Sequence, residues 1–112
     1  MGRRWMPGEL FDDSVLRRVR ASLRVIYGDR IERLVLFGSR ARGDARADSD
    51  YDIAVFLKDL IDRWGEFHRL ADLRVEILAE TNAFLEARPF RAGSYCDRTP
   101  LMHEIRRDGV DL

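Results

Sequence analysis

Two aspartates, Asp50 and Asp52, stand two residues apart at the head of an apolar run, Tyr51 to Leu57. In extended backbone, alternate residues face the same side at ~3.3 Å rise per residue, which puts the two carboxylates ~6–7 Å apart along the chain. Turned inward, both can reach one divalent cation or a close pair of cations. Without such a cation they repel each other. A hard ion such as magnesium relieves that conflict, and phosphate oxygens can complete its shell. Twelve positions before Asp50 is Gly38-Ser39, at the end of another apolar run, Ile31 to Phe37. Glycine lets the backbone approach a ligand closely. If Ser39 to Gly43 open a short helix, its N–H groups point at an anion, the Ser39 hydroxyl adds a donor, and Arg40 and Arg42 add charge. An anion cradle beside a metal-binding pair suits a nucleoside triphosphate.

Other readings of this segment fail on spacing. A Walker loop needs Gly-x4-Gly-Lys-Ser/Thr, and none is present. Asp48, Asp50 and Asp52 imitate the first ligands of an EF-hand. Its sixth position would be Ile53 in place of glycine, and its twelfth Asp59 in place of glutamate. Arg42-Gly43-Asp44 spells an adhesion tripeptide by letters only.

The elements that must hold this segment follow from periodicity. Asp12 or Asp13 can cap a helix carrying Val15, Val19, Leu23 and Ile26 at helical spacing, closed by Gly28. Its Arg17, Arg18, Arg20 and Arg24 read as a solvated face. Two strands follow, Ile31–Phe37 and Tyr51–Leu57. Leu60 to Ala79 reads as a helix whose packed side is Ile61, Trp64, His68, Ala71, Val75 and Leu78. Ala83 to Phe90 is a third strand closed by Pro89. Thr99 caps a last helix with Pro100 at its first position, ended by Gly109. The order helix, strand, strand, helix, strand, helix gives a small mixed α/β sheet of three or more strands flanked by helices. Residues 1–11, with the turn pair Pro7-Gly8, read as a loose arm on a single domain, 1–112.

Composition narrows the class. The chain has 112 residues and is 46% hydrophobic, enough for one core. Twenty cations balance twenty acids, so strong nucleic-acid binding is not expected. One cysteine, Cys96, excludes a disulfide framework. No apolar run approaches the ~20 residues of a membrane span, and the cations of the N-terminus precede no apolar stretch; the expected compartment is the cytoplasm. His68 and His103 read as structural, and Gly93-Ser94-Tyr95 as a plain loop. Trp64 and Phe67 read as core or interface.

Gly-Ser, ten residues, then Asp-x-Asp, between two apolar strands, resembles the signature of the polymerase-beta-like nucleotidyltransferases. The short chain is similar to their minimal members, and the likeness covers most of it. The resemblance implies a third carboxylate on a later strand, which here falls on Glu86, with Glu76 and Glu80 as lesser candidates. Family members usually have aspartate there, and the extra methylene shifts the oxygens by more than ~1 Å, enough to cost turnover. It implies catalysis by Asp50, Asp52 and Glu86, which also hold one or two Mg2+. It implies ATP or another nucleoside triphosphate bound by Gly38, Ser39, Arg40 and Arg42, and transfer of a nucleoside monophosphate to a hydroxyl. Minimal members commonly stand beside a small helical HEPN toxin, which they neutralise, in some pairs by adenylylating a tyrosine. The chain would then be the antitoxin. The alternative is a weak or inactive module that silences its partner by occlusion.

Overall fold

The computed structural model describes residues 3–4 and 13–112. A five-stranded mixed sheet runs in the order β1-β5-β2-β3-β4, with β1 Arg3–Arg4, β2 Ile31–Phe37, β3 Tyr51–Leu57, β4 Leu85–Arg91 and β5 Val110–Asp111. The helices are α1 Ser14–Tyr27, a single turn α2 Ser39–Arg42, α3 Arg63–Thr81 and α4 Pro100–Asp108. The expected arm, residues 1–11, lies outside the described residues except for Arg3–Arg4, whose backbone pairs parallel with Val110–Asp111.

β3 is the middle of the working sheet. It pairs antiparallel with β2 and parallel with β4, and from Ile53 to Leu57 every side chain is buried. A strand covered on both faces reads as an unbroken apolar run, which is why its bounds are plain in the sequence. One face packs Ile53 and Val55 under α1 (Leu16, Val19, Leu23) and α3 (Leu70, Leu73, Ile77). The other packs Ala54 and Phe56 against Met102 and Ile105 of α4. Asp13 caps α1, accepting from the Leu16 N–H at 3.0 Å. Thr99 caps α4 through the Met102 N–H at 3.2 Å, with Pro100 in the first turn. Each cap is worth about 1 kcal/mol.

Two expectations are corrected here. α3 begins at Arg63, because Asp62 accepts from the Gly65 N–H and caps it. Its buried side is Glu66, Leu70, Leu73 and Ile77. The expected packed side faces outward: Ile61, Trp64, Val75 and Leu78 are exposed, as are His68 and Ala71. Both sets fit a 3.6-residue period, and the sheet takes the side of Leu70, Leu73 and Ile77, with Glu66 buried at its start.

The third strand starts at Leu85 and runs through Pro89 to Arg91. Two ladder bonds explain the proline: Tyr51 N–H to Phe84 O, and Ala92 N–H to Leu57 O, each 2.8 Å. Even-numbered residues therefore bond toward β3, and odd-numbered ones turn their backbone outward. Pro89, on an edge strand with its nitrogen facing away, forfeits no ladder bond.

Candidate active site

Register sets Glu86, the expected third acid, beside Asp52. Asp52 on β3 is the direct partner of Glu86 on β4, and Phe56 that of Phe90. The rings of Phe56 and Phe90 stack at 5.4 Å on the α4 side. Asp52 and Glu86, each four residues earlier, share that side. Asp52 is also opposite Phe37, the last residue of β2, so its carboxylate lies against the turn that follows.

That turn is shaped for the carboxylate. Gly38 adopts φ +77°, ψ −159° and opens α2, and a Cβ on it would collide with Asp52 Oδ2. Asp52 therefore packs directly on the Gly38 backbone, which is why glycine is required. The first N–H taken up by α2 is that of Arg42, to Gly38 O at 3.1 Å. Those of Ser39 and Arg40 are left at the open end with no helix partner.

The Asp52 carboxyl is held above its ordinary range, first by burial, then by the Asp50 charge, with Glu86 and Glu104 adding to it and Arg88 opposing it. A half-buried carboxylate pressed by three others is a site in want of a cation. Asp50, at the mouth, is exposed. Carboxylate oxygens are the donor set magnesium prefers, so Asp50 and Asp52 fit the ion the sequence implies. Glu86, expected as the third carboxylate, is otherwise engaged: its Oε1 is 3.3 Å from Arg74 Nη1, reaching in from α3. Among the described residues no three acid or imidazole side chains converge as a ready metal-binding group.

Arg40 has a different task from the one expected. Its Nε and Nη2 donate to Ser49 O at 3.1 and 2.9 Å, and Nη2 donates to Ala47 O at 3.2 Å. Its guanidinium lies 3.9 Å from the centre of the Tyr51 ring. Tyr51 in turn donates to Asp13 Oδ2 at 2.7 Å, and burial followed by this bond pushes its hydroxyl up to about 12. Arg40 thus fixes the loop that presents Asp50 and is not an open cation for phosphate. Arg42 is exposed at the loop, 3.4 Å from Asp44 Oδ2 and 3.9 Å from Asp108 Oδ2. Glu76 and Glu80, the lesser acid candidates, pair with Arg18 at 2.7 and 3.0 Å away from the site. His68 and His103 are exposed, and Ser94–Cys96 form a 3-10 turn.

Residues 24–110 match the family model described as Polymerase beta, Nucleotidyltransferase. The chain belongs to that family. The Gly38-Ser39 turn, the Asp-x-Asp strand and Glu86 of this nucleotidyltransferase all fall inside the matched region. It is 33% identical over 46 residues to MJ0141 of Methanocaldococcus jannaschii, whose name proposes a protein adenylyltransferase. That match spans 41% of this chain and 46% of the relative, less than half the relative's length. In fold it resembles a toxin–antitoxin crystallised with AMP-PNP, at a TM-score of 0.59 and 20% identity over 88% of this chain and 71% of the other. It also resembles a structure of a proposed minimal nucleotidyltransferase, at a TM-score of 0.53 and 24% identity over 96% and 100% of the two chains. Among the described residues no helix is long and apolar enough to cross a membrane.

Proposed function

We propose that this nucleotidyltransferase transfers a nucleoside monophosphate, AMP from ATP, to a hydroxyl of a partner polypeptide. A tyrosine of a helical HEPN toxin is the acceptor that best accords with the toxin–antitoxin fold neighbours, and the chain then acts as the antitoxin. The observation that carries this reading is the packing of Asp52 on Gly38 in register with Glu86. Asp52 thereby meets both the Gly38 turn and the strand that carries Glu86.

Asp50 and Asp52 would hold magnesium, which supplies charge neutralisation for the triphosphate when bound. The Ser39 and Arg40 amides and the Ser39 hydroxyl receive the outer phosphates, with Arg42 lending charge at the loop. Glu86, released from Arg74, accepts the proton of the incoming hydroxyl. The oxygen bonds to the α-phosphorus, the bond to the bridging oxygen breaks, and pyrophosphate leaves. Tyr51 and Arg40 keep the acid pair in place, so that catalysis is mainly positioning and preorganised charge.

ATP calorimetry with and without magnesium, on wild type and on Asp50→Ala/Asp52→Ala, tests the reading. Magnesium-dependent binding that vanishes in the double variant is expected. Equal binding by both proteins would refute it. The Glu86–Arg74 pair favours a second reading, in which the chain neutralises its partner by occlusion alone. Under that reading the double variant neutralises as well as wild type.

A further inference from the structure

α3 is apolar on two sides, and the sheet covers only one of them. Trp64, Phe67, Ala71, Val75 and Leu78 form a straight outward stripe, with Trp64 77% and Val75 67% exposed. The fourteen residue steps from Trp64 to Leu78 make it ~21 Å long. A surface helix normally carries one apolar stripe, and isolated exposed apolar residues need no account, but a contiguous row does.

The stripe continues into the site. Phe67 and Ala71 form one wall of a groove of about 370 Å³ whose other wall is Leu85, with Arg74, Glu86 and Arg88 along it. The edge of the stripe toward β4 is therefore mainly cationic: Arg74 pairs with Glu86, Arg88 lines the same groove, and Arg63 Nη1 reaches Pro89 O at 3.4 Å. The far edge carries Asp72 and Glu76.

We propose that this stripe and groove dock an amphipathic helix of a partner polypeptide, with its apolar face on Trp64, Ala71, Val75 and Leu78 and an acidic edge toward Arg74 and Arg88. A straight helical ridge is complemented best by another helix packed ridge into groove, and acids on the partner's edge complete the charge pattern. A second copy packed antiparallel fits poorly. Packing the stripe on itself about a two-fold axis with antiparallel helices sets the Arg63/Arg74 edge beside its own image. The inference rests on the reading of the site as one that modifies a polypeptide: a helix seated here brings its hydroxyls to Glu86.

The test uses two synthetic helices with one leucine–alanine face, one with glutamates and one with lysines along the same edge. Each is titrated into 15N-labelled protein. The glutamate helix is expected to shift the amides of residues 64–78 and to bind at least tenfold tighter than the lysine helix. Trp64→Ser/Val75→Ser should weaken it tenfold or more, and Arg74→Glu should reverse the preference between the two helices. Unchanged far-UV circular dichroism shows that the variants are folded, and unchanged magnesium–ATP binding shows in addition that Trp64→Ser/Val75→Ser leaves the site intact.

Failure of both helices to bind the stripe overturns the proposal. So does an unchanged preference in Arg74→Glu, and so does self-association, seen by sedimentation, that disappears in Trp64→Ser/Val75→Ser. Magnesium–ATP binding separates the two ideas. Its absence with helix binding intact refutes the nucleotidyl reading alone, and its presence without helix binding refutes the docking surface alone.

Discussion

Gly38→Ala should damage this protein twice, once in stability and once in chemistry. At φ +77°, ψ −159° the backbone occupies a region essentially closed to residues with a side chain, at a cost of about 1–3 kcal/mol. The added Cβ would also overlap Asp52 Oδ2 and stand 3.3 Å from its Cγ. The carboxylate is the free end of a side chain, so it gives way before the backbone does and retreats by about 1 Å. A displacement of that size at a reacting centre costs on the order of 100-fold in rate. Gly43→Ala is the control, since Gly43 has φ +87° but open space around its Cβ. It should cost about 1–2 kcal/mol of backbone strain and leave turnover near wild type. Urea denaturation reads the first effect, and pyrophosphate release in the presence of acceptor reads the second. Equal turnover in the two variants would refute the argument that Gly38 positions Asp52.

Asp52→Asn should raise the urea midpoint at neutral pH, because the carboxyl titrates above its ordinary range in the folded chain and its ionised form opposes folding. That contribution to wild-type stability is greatest below the ordinary carboxylate range and declines as pH rises through the raised value. The variant should lose the slope, and magnesium–ATP affinity in wild type should fall as pH drops through the same window. Arg40→Ala should speed amide exchange across residues 45–50 and weaken ATP binding. Arg40→Lys should fail to restore either, since a point ammonium cannot bond Ser49 O and Ala47 O while stacking on Tyr51. Arg30→Met should cost about 1–2 kcal/mol in urea denaturation. It strips the 2.7 Å partner from Glu66, which is 5% exposed, and leaves its carboxylate to Arg69 Nε at 3.4 Å; that second cation and the partial exposure of Arg30 keep the figure below that of a buried charge left unpaired.

Much of the frame is legible in the chain, and the illegible parts have physical causes. β2 and β3 are buried along most of their length, so their apolar runs end where the strands end. Asp13 and Thr99 are caps followed by helical stripes, and both helices start where the caps say. α3 carries two stripes of equal period, and nothing local distinguishes the side that meets the sheet from the side that meets a partner. β5 and β1 pair over two residues each, too short to leave a pattern. Among the site residues, Gly38, Asp52 and Glu86 are brought together by register. Arg40 is read as a phosphate ligand from its place beside Ser39, and only the loop carbonyls around it reveal its other task. Glu66 has no sequence sign of burial: Arg69 beside it reads as an ordinary surface pair, and its nearer cation, Arg30, comes from a distant turn.

The connection between β2 and β3, residues 38–50, is also the stretch that has to close before the central strand pair can zip during folding. Two antiparallel strands can be joined by two residues. Closing this longer loop costs about 1.5 kcal/mol more in chain entropy, enough to slow that step roughly tenfold. A chain built only to fold quickly would have a tight turn there. The Gly38-Ser39 turn and Asp50 occupy the loop instead, with Asp52 just beyond it on β3, so closure of this hairpin is expected to be slower than that of a tight turn. Arg40, clamping Ser49 and Ala47 once the strands meet, holds the loop shut.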